Sequence, residues 1–427
     1  MKMNLKWFLV FSLLVTVVCF SCKEEPIIPP SPQTKLTLSV EDISCTEVWL
    51  NLKLENISLP IDVKLNKNNS TIRLIDLIYS ADTTIYIDSL LPNQANTFQI
   101  ISLSAIDGIM SNELQVTTLD ITNSNFSMEL IELNWPSHAD DVWIFSENNI
   151  WVVGDIYDSS GTEYNIMQWD GINWKGKGRV FNSSGIYSIC AIDTNIIYFA
   201  SGIVLKYKNG IFTWEDFSNI SLPNGQSVEK IWGSSENNVY GVGPKGTIVH
   251  YNGTEWRKIE FDQQWDIIDI TGNPETGIAY AVASSQSGNS PIIKIQNNSA
   301  EIIFDGFLNQ PIIQYFSASE LKGKIYLAGV SQVWSFDETT KEIKELYNCF
   351  PRVIDIKKTY SSKTNDIYFA GNEGNEGRII HFNGYNFNVI NTVANHFLTN
   401  GIHSIDNSTI VVGLLDVNSF VLKLKRN

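Results

Sequence analysis

The stretch that decides the fold is Val239-Tyr240-Gly241-Val242-Gly243, followed by Gly246-Thr247-Ile248-Val249-His250-Tyr251 and, after Asn252-Gly253, by Glu255 to Phe261. Short apolar runs separated by glycine and asparagine are typical of β-strands joined by tight hairpin turns. With Val228 to Gly233 directly before it, this stretch predicts a unit of four antiparallel strands.

The unit recurs through residues 127–427. Its second strand is repeated in seven copies, at Asn149–Gly154, Ile197–Ser201, Asn238–Gly243, Ala279–Ala283, Ile325–Gly329, Asp366–Gly371 and Thr409–Gly413. The last residues of these copies are spaced by 47, 42, 40, 46, 42 and 42 positions. A period near 42 with β-type content indicates propeller blades, so residues 127–427 are predicted to form a seven-bladed β-propeller.

Closure of the ring is also predicted. The seventh copy ends with a third strand at Phe420–Leu424, and the segment 128–133 precedes the first copy. If that segment supplies the missing fourth strand, it joins the two ends of the ring and covers a free sheet edge.

Recurring turns and aromatic residues follow the third strand of several copies. The turn pairs are Asp170-Gly171, Asn209-Gly210, Asn252-Gly253 and Asn383-Gly384. They predict type I′ turns, in which both central residues have positive φ. The aromatic residues after them are Trp174, Trp214, Trp256 and Phe387. Their equivalent positions favour packing between blades over carbohydrate platforms.

These copies resemble the propeller repeats of secreted bacterial proteins, with a pattern like V-Y-A-V-G followed by G-T-I-x-H-Y-x-G-x-x-W. The resemblance implies a binding or scaffolding role with no fixed reaction. His250 and His381 occupy equivalent positions in copies three and six. They are therefore predicted to be structural residues lying far apart around the ring, rather than joint metal ligands.

Residues 35–120 contain about seven short runs, such as Thr84–Asp88, in which apolar and polar residues alternate. This pattern predicts a small β-sandwich. The segment resembles a fibronectin type III domain. Trp49 matches the core tryptophan of the second strand, Leu90–Gln94 the turn into the sixth, and Ser111–Thr118 the last strand. The resemblance implies a spacer or binding module.

Residues 1–21 read as a secretory signal, with Lys2 and Lys6 ahead of a 14-residue apolar run. That run is shorter than the ~20 residues of a membrane-spanning helix. Ser21-Cys22 after it resembles the lipobox of bacterial lipoproteins, which implies acylation of Cys22 and anchoring in the membrane through its acyl chains. Residues 22–34 then form a proline-rich tether.

Lys23-Glu24-Glu25 resembles the export signal that carries some lipoproteins to the outer face of the outer membrane. The expected location is therefore the outer membrane, at the cell surface rather than the periplasmic face. A formal charge of -16, from 30 basic and 46 acidic residues, argues against a nucleic-acid partner. Cys45, Cys190 and Cys349 have neither disulfide nor zinc spacing and are predicted to be single buried thiols.

A catalytic role would need channel-facing carboxylates on first strands. The nearest candidates are Asp193, Asp269, Asp355 and Asp406. The sequence carries no sialidase Asp box, no Gly-x-Ser-x-Gly elbow and no phosphate loop. We therefore expect no catalytic residue, no metal and no cofactor, and leave the ligand-binding residues open.

Three hypotheses remain. The first is a non-catalytic surface lipoprotein whose propeller binds a protein or a glycan. The others are a glycan-degrading enzyme that uses channel carboxylates, and a structural component of an envelope complex.

Overall fold

The computed structural model describes residues 33–103, 108–179, 185–223, 225–285, 288, 290–305, 314–390, 397–415 and 418–427. The predicted signal (1–21), Cys22 and residues 22–32 of the tether lie outside these ranges. The described part of the chain is all-β, with 35 strands and no helix. It accordingly holds no helix with the length and apolar character to cross a membrane.

The chain divides into two compact units. The first contains the described residues up to Glu41 together with Trp49–Tyr86 and Asn96–Val116. The second contains Asp42–Val48, Ile87–Ala95 and Thr117–Asn427.

Two antiparallel sheets contain the first seven strands, in the orders β1-β2-β5 and β4-β3-β6-β7. The strands are β1 (Lys35–Ile43), β2 (Val48–Glu55), β3 (Ile61–Lys67), β4 (Ser70–Ile78), β5 (Asp82–Ile87), β6 (Ala95–Ser102) and β7 (Leu114–Thr117). Alternate residues of β2, β3 and β6 are buried, as expected where one face of each strand packs on a core. Assignment to the fibronectin type III family stays a prediction.

The interpretation of Trp49 as the core residue of β2 was wrong. The buried face of β2 carries Val48, Leu50 and Leu52. Because side chains alternate along a strand, Trp49 lies on the opposite face. There it is half-buried, and its ring lies 5.4 Å from that of Tyr86.

The remaining strands build seven four-stranded antiparallel sheets in the second unit. The first thirteen are β8 (Phe126–Glu132), β9 (Asn134–Ser146), β10 (Asn149–Tyr157), β11 (Glu163–Trp169), β12 (Trp174–Gly176), β13 (Ser188–Asp193), β14 (Ile196–Ser201), β15 (Ile203–Lys208), β16 (Ile211–Trp214), β17 (Lys230–Ser235), β18 (Asn238–Gly243), β19 (Thr247–Tyr251) and β20 (Trp256–Lys258). The others are β21 (Asp266–Asn273), β22 (Ile278–Ser284), β23 (Ile292–Gln296), β24 (Ser299–Phe304), β25 (Tyr315–Leu321), β26 (Lys324–Gly329), β27 (Gln332–Asp337), β28 (Ile343–Asn348), β29 (Ile354–Lys363), β30 (Asp366–Glu373), β31 (Glu376–Phe382), β32 (Phe387–Ile390), β33 (Phe397–Ile405), β34 (Ser408–Leu415) and β35 (Asn418–Arg426).

Sheets 1 to 6 each take four consecutive strands, from β9–β12 to β29–β32. Sheet 7 has the order β33-β34-β35-β8, and β8, which contains residues 128–132 of the predicted segment 128–133, pairs antiparallel with β35. We call β9, β13, β17, β21, β25, β29 and β33 the inner strands. Each inner strand contacts that of the next sheet, and β33 contacts β9, so the seven sheets follow one another in a ring.

Apolar side chains fill the spaces between neighbouring sheets. Between sheets 1 and 2, for example, Trp151 and Val153 pack with Ile189, Phe199 and Leu205. Each fully buried large apolar side chain contributes roughly 1.5–3 kcal/mol to folding. The inter-sheet cores therefore hold the ring together.

Three of the four predicted packing aromatics lie at these cores. Trp256 is buried, and Trp174 and Phe387 pack against core clusters while partly exposed. For Trp214, which is 41% exposed at the end of the outermost strand β16, packing between sheets stays a prediction. Phe212 of the same strand packs against the core.

The turn prediction held only in part. Both residues of Asn209-Gly210 have positive φ, as a type I′ turn requires. At Asp170, Asn252 and Asn383 only the following glycine has positive φ. These side chains accept hydrogen bonds from backbone N–H groups two and three residues on, which stabilises a longer loop instead.

Candidate functional site: the inner-strand cavity

A cavity of about 710 Å³ lies within the ring of inner strands and is lined by residues from all seven of them. One residue of each inner strand occupies an equivalent position in the register with the second strand of its sheet. We call these seven residues the polar ring. Residues paired with equivalent positions of the second strands are Asp141, Ser188, Lys230, Asp269, Ser317, Lys358 and Gly401. Six of these seven are polar or charged, which is unusual for the centre of an apolar fold.

The two aspartates of this ring bind backbone amides of the next sheet. Asp269 accepts from the N–H of Ala318 at 3.2 Å, from its neighbour Ile270 at 3.1 Å, and from the Ser317 hydroxyl. Asp141 accepts from the N–H of Ile189 at 3.2 Å and from Val142 at 3.0 Å. Both carboxylates therefore link adjacent inner strands.

Two further side chains continue these links around the ring. The Ser317 hydroxyl accepts from the N–H of Thr359 at 3.2 Å, joining sheets 5 and 6. The Asn400 side-chain amide donates to the carbonyl of Ala139 at 2.8 Å, joining sheet 7 to sheet 1. The polar ring is thus part of what fixes the geometry of the cavity.

Lys230 and Lys358 are arranged differently. They come from sheets 3 and 6, both line the cavity, and each lies close enough to the other to shift the other's pKa. Lys230 Nζ also donates to the carbonyl of Tyr187 at 3.2 Å. Within the ranges that the structure describes, neither nitrogen forms an ion pair with a carboxylate.

The charges of the four ring residues influence one another. Burial, and next the charge of Lys358, lower the pKa of Lys230 to about 8. For Lys358, burial acts to lower the pKa, but the charges of Asp269 and Asp141 overcome it and raise the pKa. Burial also raises the pKa of the Asp141 carboxyl, although both lysines oppose that shift.

His403, two residues after Gly401 on β33, lies between two aromatic rings. Its ring centre is 4.1 Å from that of Trp143 and 4.2 Å from that of Tyr360. His403 is 6% exposed, and neither Nδ1 nor Nε2 has a hydrogen-bond partner among the described residues. Burial lowers its pKa to about 3, so the ring is neutral at physiological pH.

Two hydroxyls of the cavity lining are also unpartnered. Thr359 Oγ1 and Ser361 Oγ are buried, line the same cavity and have no partner in the described part of the chain. A buried polar atom without a partner costs about 1–3 kcal/mol. The cavity therefore contains several polar atoms that a ligand can satisfy.

The four carboxylates predicted as catalytic candidates do not come together. Asp269 and Asp406 line the cavity, Asp406 from a hairpin turn with φ of 50°. Asp193 caps the turn after β13 by accepting from the N–H groups of Asn195 and Ile196. Asp355 is well exposed, and its nearest cation is Lys357 at 3.9 Å.

His250 and His381 have equivalent structural roles in sheets 3 and 6. Each stacks on the tyrosine paired with it across the strands, Tyr240 at 4.3 Å and Tyr368 at 4.8 Å. Each has a side-chain partner for both nitrogens. No group of three or more His, Cys, Asp or Glu in the described ranges is arranged to hold a metal ion.

The cysteine prediction is confirmed, since Cys45, Cys190 and Cys349 are free and buried. Burial raises the pKa of all three thiols, to about 11, 12 and 11 respectively. Because the thiolate is the reactive form, these cysteines are poor nucleophiles at neutral pH.

No protein-family model and no curated protein matches this chain. Solved structures do. YCF48 bound to D1 peptide aligns with a TM-score of 0.55 at 13% identity, over 72% of this chain and 100% of that one. The extracellular domain of BT4673 from B. thetaiotaomicron aligns with a TM-score of 0.52 at 14% identity, over 71% of this chain and 40% of that one. The fold is propeller-like. At these identities the similarity establishes the fold alone.

The lysine pair and His403 were not singled out from the sequence. The sequence did contain a pattern that could have found the lysine pair. The polar ring residues lie 12 to 14 positions before the last residues of the seven second-strand copies. Aligning the copies on those last residues reveals a polar inner-strand position. Which of those residues meet across the cavity depends on the ring geometry.

Proposed function

We propose that the chain is an outer-membrane lipoprotein, anchored by acyl chains on Cys22 and exposed at the cell surface. In this proposal residues 35–120 form a fibronectin type III-like spacer, and residues 127–427 a seven-bladed β-propeller closed by the strand at 128–133. The propeller acts as a non-catalytic binding module for a protein or a glycan.

The observation that carries the non-catalytic role is the hydrogen bonding of Asp141 and Asp269, the two aspartates at the equivalent inner-strand position. A glycosidase needs one carboxyl group as proton donor and a second as nucleophile or base. Asp269 instead accepts three hydrogen bonds from Ile270, Ser317 and Ala318, and Asp141 accepts two from Val142 and Ile189. Carboxylates held in this way support a structural task.

The solved neighbour YCF48 carries a bound peptide. That supports the protein alternative for the partner of this chain, since a propeller-like scaffold of the same extent accommodates a polypeptide there.

The binding role is tested by a pull-down from solubilised outer membranes with residues 33–427, which contain every described strand. We expect a retained partner. Loss of retention after protease treatment of the membranes identifies a protein, and loss after periodate oxidation identifies a glycan. If neither a protein nor a glycan is retained, the binding role is contradicted. If the chain hydrolyses a glycan and Asp269→Asn abolishes that hydrolysis, the enzyme alternative replaces the binding role.

The anchor is tested by metabolic labelling with an alkyne-tagged palmitate in cells that express the full chain. We expect labelling of the wild type and of Cys19→Ser, and none of Cys22→Ser. Equal labelling of the Cys22→Ser chain contradicts the assignment.

A further inference from the structure

The inner-strand cavity combines two features that the fold does not explain. One is the meeting of Lys230 and Lys358, two basic side chains from opposite parts of the ring. The other is His403, which is 6% exposed and presents two unpartnered nitrogens to the cavity. Like charges repel more strongly where water screens them less, and unpartnered buried nitrogens destabilise a fold. Neither feature stabilises the empty ring.

A ligand anion resolves the first feature. A carboxylate placed against Lys230 and Lys358 accepts a charge-assisted hydrogen bond from each and screens their mutual repulsion. The aspartates do not take this role, because Asp141 and Asp269 are bound to backbone amides of the neighbouring sheets.

The charges of Lys230, Lys358, Asp141 and Asp269 indicate what charge the ligand carries. Lys230, Lys358, Asp141 and Asp269 are formally neutral together, so a monoanion placed among them leaves this group with one net negative charge. A dianion leaves two on the same group, close to the partly buried carboxylates of Asp141 and Asp269. The cavity therefore favours a carboxylate over a doubly charged phosphate.

The body of the ligand is indicated by the unpartnered groups. His403 Nδ1 and Nε2, Thr359 Oγ1 and Ser361 Oγ offer both donors and acceptors. Hydroxyl groups match such a set because each can donate or accept. The cavity, at about 710 Å³, lies within the range of roughly 300–1,000 Å³ common for small-molecule sites.

We propose that this cavity binds a hydroxylated monocarboxylic acid of the acidic-sugar class, with the carboxylate between Lys230 and Lys358 and hydroxyls on His403, Thr359 and Ser361. This inference rests on the proposed binding role and names the ligand class for the cavity.

The test is isothermal titration calorimetry on the full chain in detergent, with D-glucuronate, D-glucose and inorganic phosphate as probes. Glucuronate is expected to bind about tenfold or more tightly than glucose, because only it has a carboxylate for the lysines. Glucuronate binding no tighter than glucose binding overturns the proposal. Phosphate binding as tight as glucuronate overturns the choice of a monocarboxylate.

Four variants locate the site. Lys230→Gln and Lys358→Gln are each expected to weaken glucuronate binding about tenfold or more. Lys357→Gln is the matched control, because Lys357 is next in the chain but lies outside the cavity lining and 3.9 Å from Asp355. His403→Phe keeps an aromatic ring between Trp143 and Tyr360, so the variant is expected to fold. It removes the unpartnered nitrogens, so its affinity for glucuronate is expected to be several-fold lower than that of the wild type.

Wild-type affinity in both lysine variants, or in His403→Phe, contradicts the assigned contacts. Failure of glucuronate binding while the membrane pull-down still retains a partner removes this inference and leaves the proposed function standing. Failure of both removes the binding role itself.

Discussion

His381 and His403 are both buried histidines of the second unit, and their surroundings are opposite. His381 shares hydrogen bonds with Asp366 at 3.0 Å and Ser124 at 2.9 Å, and Asp366 also binds Arg426. His403 has aromatic rings on both sides and no hydrogen-bond partner among the described residues.

The two histidines illustrate two roles of a buried polar group, stabilising the fold and binding a ligand. Both nitrogens of His381 are hydrogen-bonded within the chain, so this histidine contributes to folding and gives no reason to invoke a ligand. The His403 site lacks the groups that would complete it, and such sites are where proteins accept a stability cost for function. The two regions therefore make different predictions when each is altered.

The largest effect is expected from Asp366→Ala, which removes a hydrogen-bond partner of His381. Asp366 is 1% exposed, and removing its carboxylate leaves Arg426 and His381 buried without their shared partner. We expect a loss of about 3–5 kcal/mol in the free energy of unfolding, measured by urea titration. Glu255→Ala, which breaks an exposed ion pair with Arg257, should cost less than about 1 kcal/mol. Equal losses in the two variants contradict the comparison.

His403→Phe should change the pH dependence of stability. The folded pKa of His403, about 3, lies below its ordinary value of 6.5. Between those two pH values the unfolded chain binds a proton that the folded chain does not, so stability falls as the pH falls. At roughly 1.4 kcal/mol per pH unit, the variant should reduce the difference in unfolding free energy between pH 7 and pH 5 by about 2 kcal/mol.

The control for this prediction is His138→Gln. Its histidine has a raised pKa, through the hydrogen bond to Asp140, and is well exposed. Protonated His138 stabilises the folded chain at low pH, so its removal should slightly enlarge the pH difference. An unchanged pH difference in His403→Phe shows that the ring is partnered or hydrated in solution.

The smallest effect is expected at a satisfied position on the same inner strand. Asn400→Ala removes the hydrogen bond to the Ala139 carbonyl that joins sheet 7 to sheet 1. We expect a loss of about 1 kcal/mol in urea unfolding, because that carbonyl loses its side-chain donor. Asn348→Ala at an exposed position should change stability by less than about 0.5 kcal/mol. A wild-type value for Asn400→Ala means that the link does not stabilise the ring.

The repeat period predicted the four-stranded units, and the segment 128–133 predicted to close the ring overlaps β8 (Phe126–Glu132), which pairs with β35. Local patterns suffice there, because hairpin strands and their turns are close in sequence. The same reasoning failed at Trp49, where a one-residue shift exchanges the buried and exposed faces. The type I′ turn predicted from the pair Asp170-Gly171 was also wrong. The Asp170 side chain accepts hydrogen bonds from backbone N–H groups two and three residues on, which stabilises a longer loop.

The cavity was harder to predict for a different reason. Lys230 and Lys358 are far apart in sequence and meet because sheets 3 and 6 lie across the ring. His403 became informative only when its neighbours were known, since a lone histidine on a strand is usually satisfied. Spacing identifies equivalent positions, but contacts across the ring decide their chemistry.

Among the described sheets of the second unit, sheet 7 alone combines two distant parts of the chain, with β8 hydrogen-bonded to β35 from Phe126–Arg426 to Glu132–Phe420. This junction can be exchanged between molecules. If β8 of one copy pairs with β35 of another, every hydrogen bond of the junction is conserved, and a domain-swapped dimer results. Refolding at high protein concentration should therefore enrich dimers that dissociate only when the second unit unfolds.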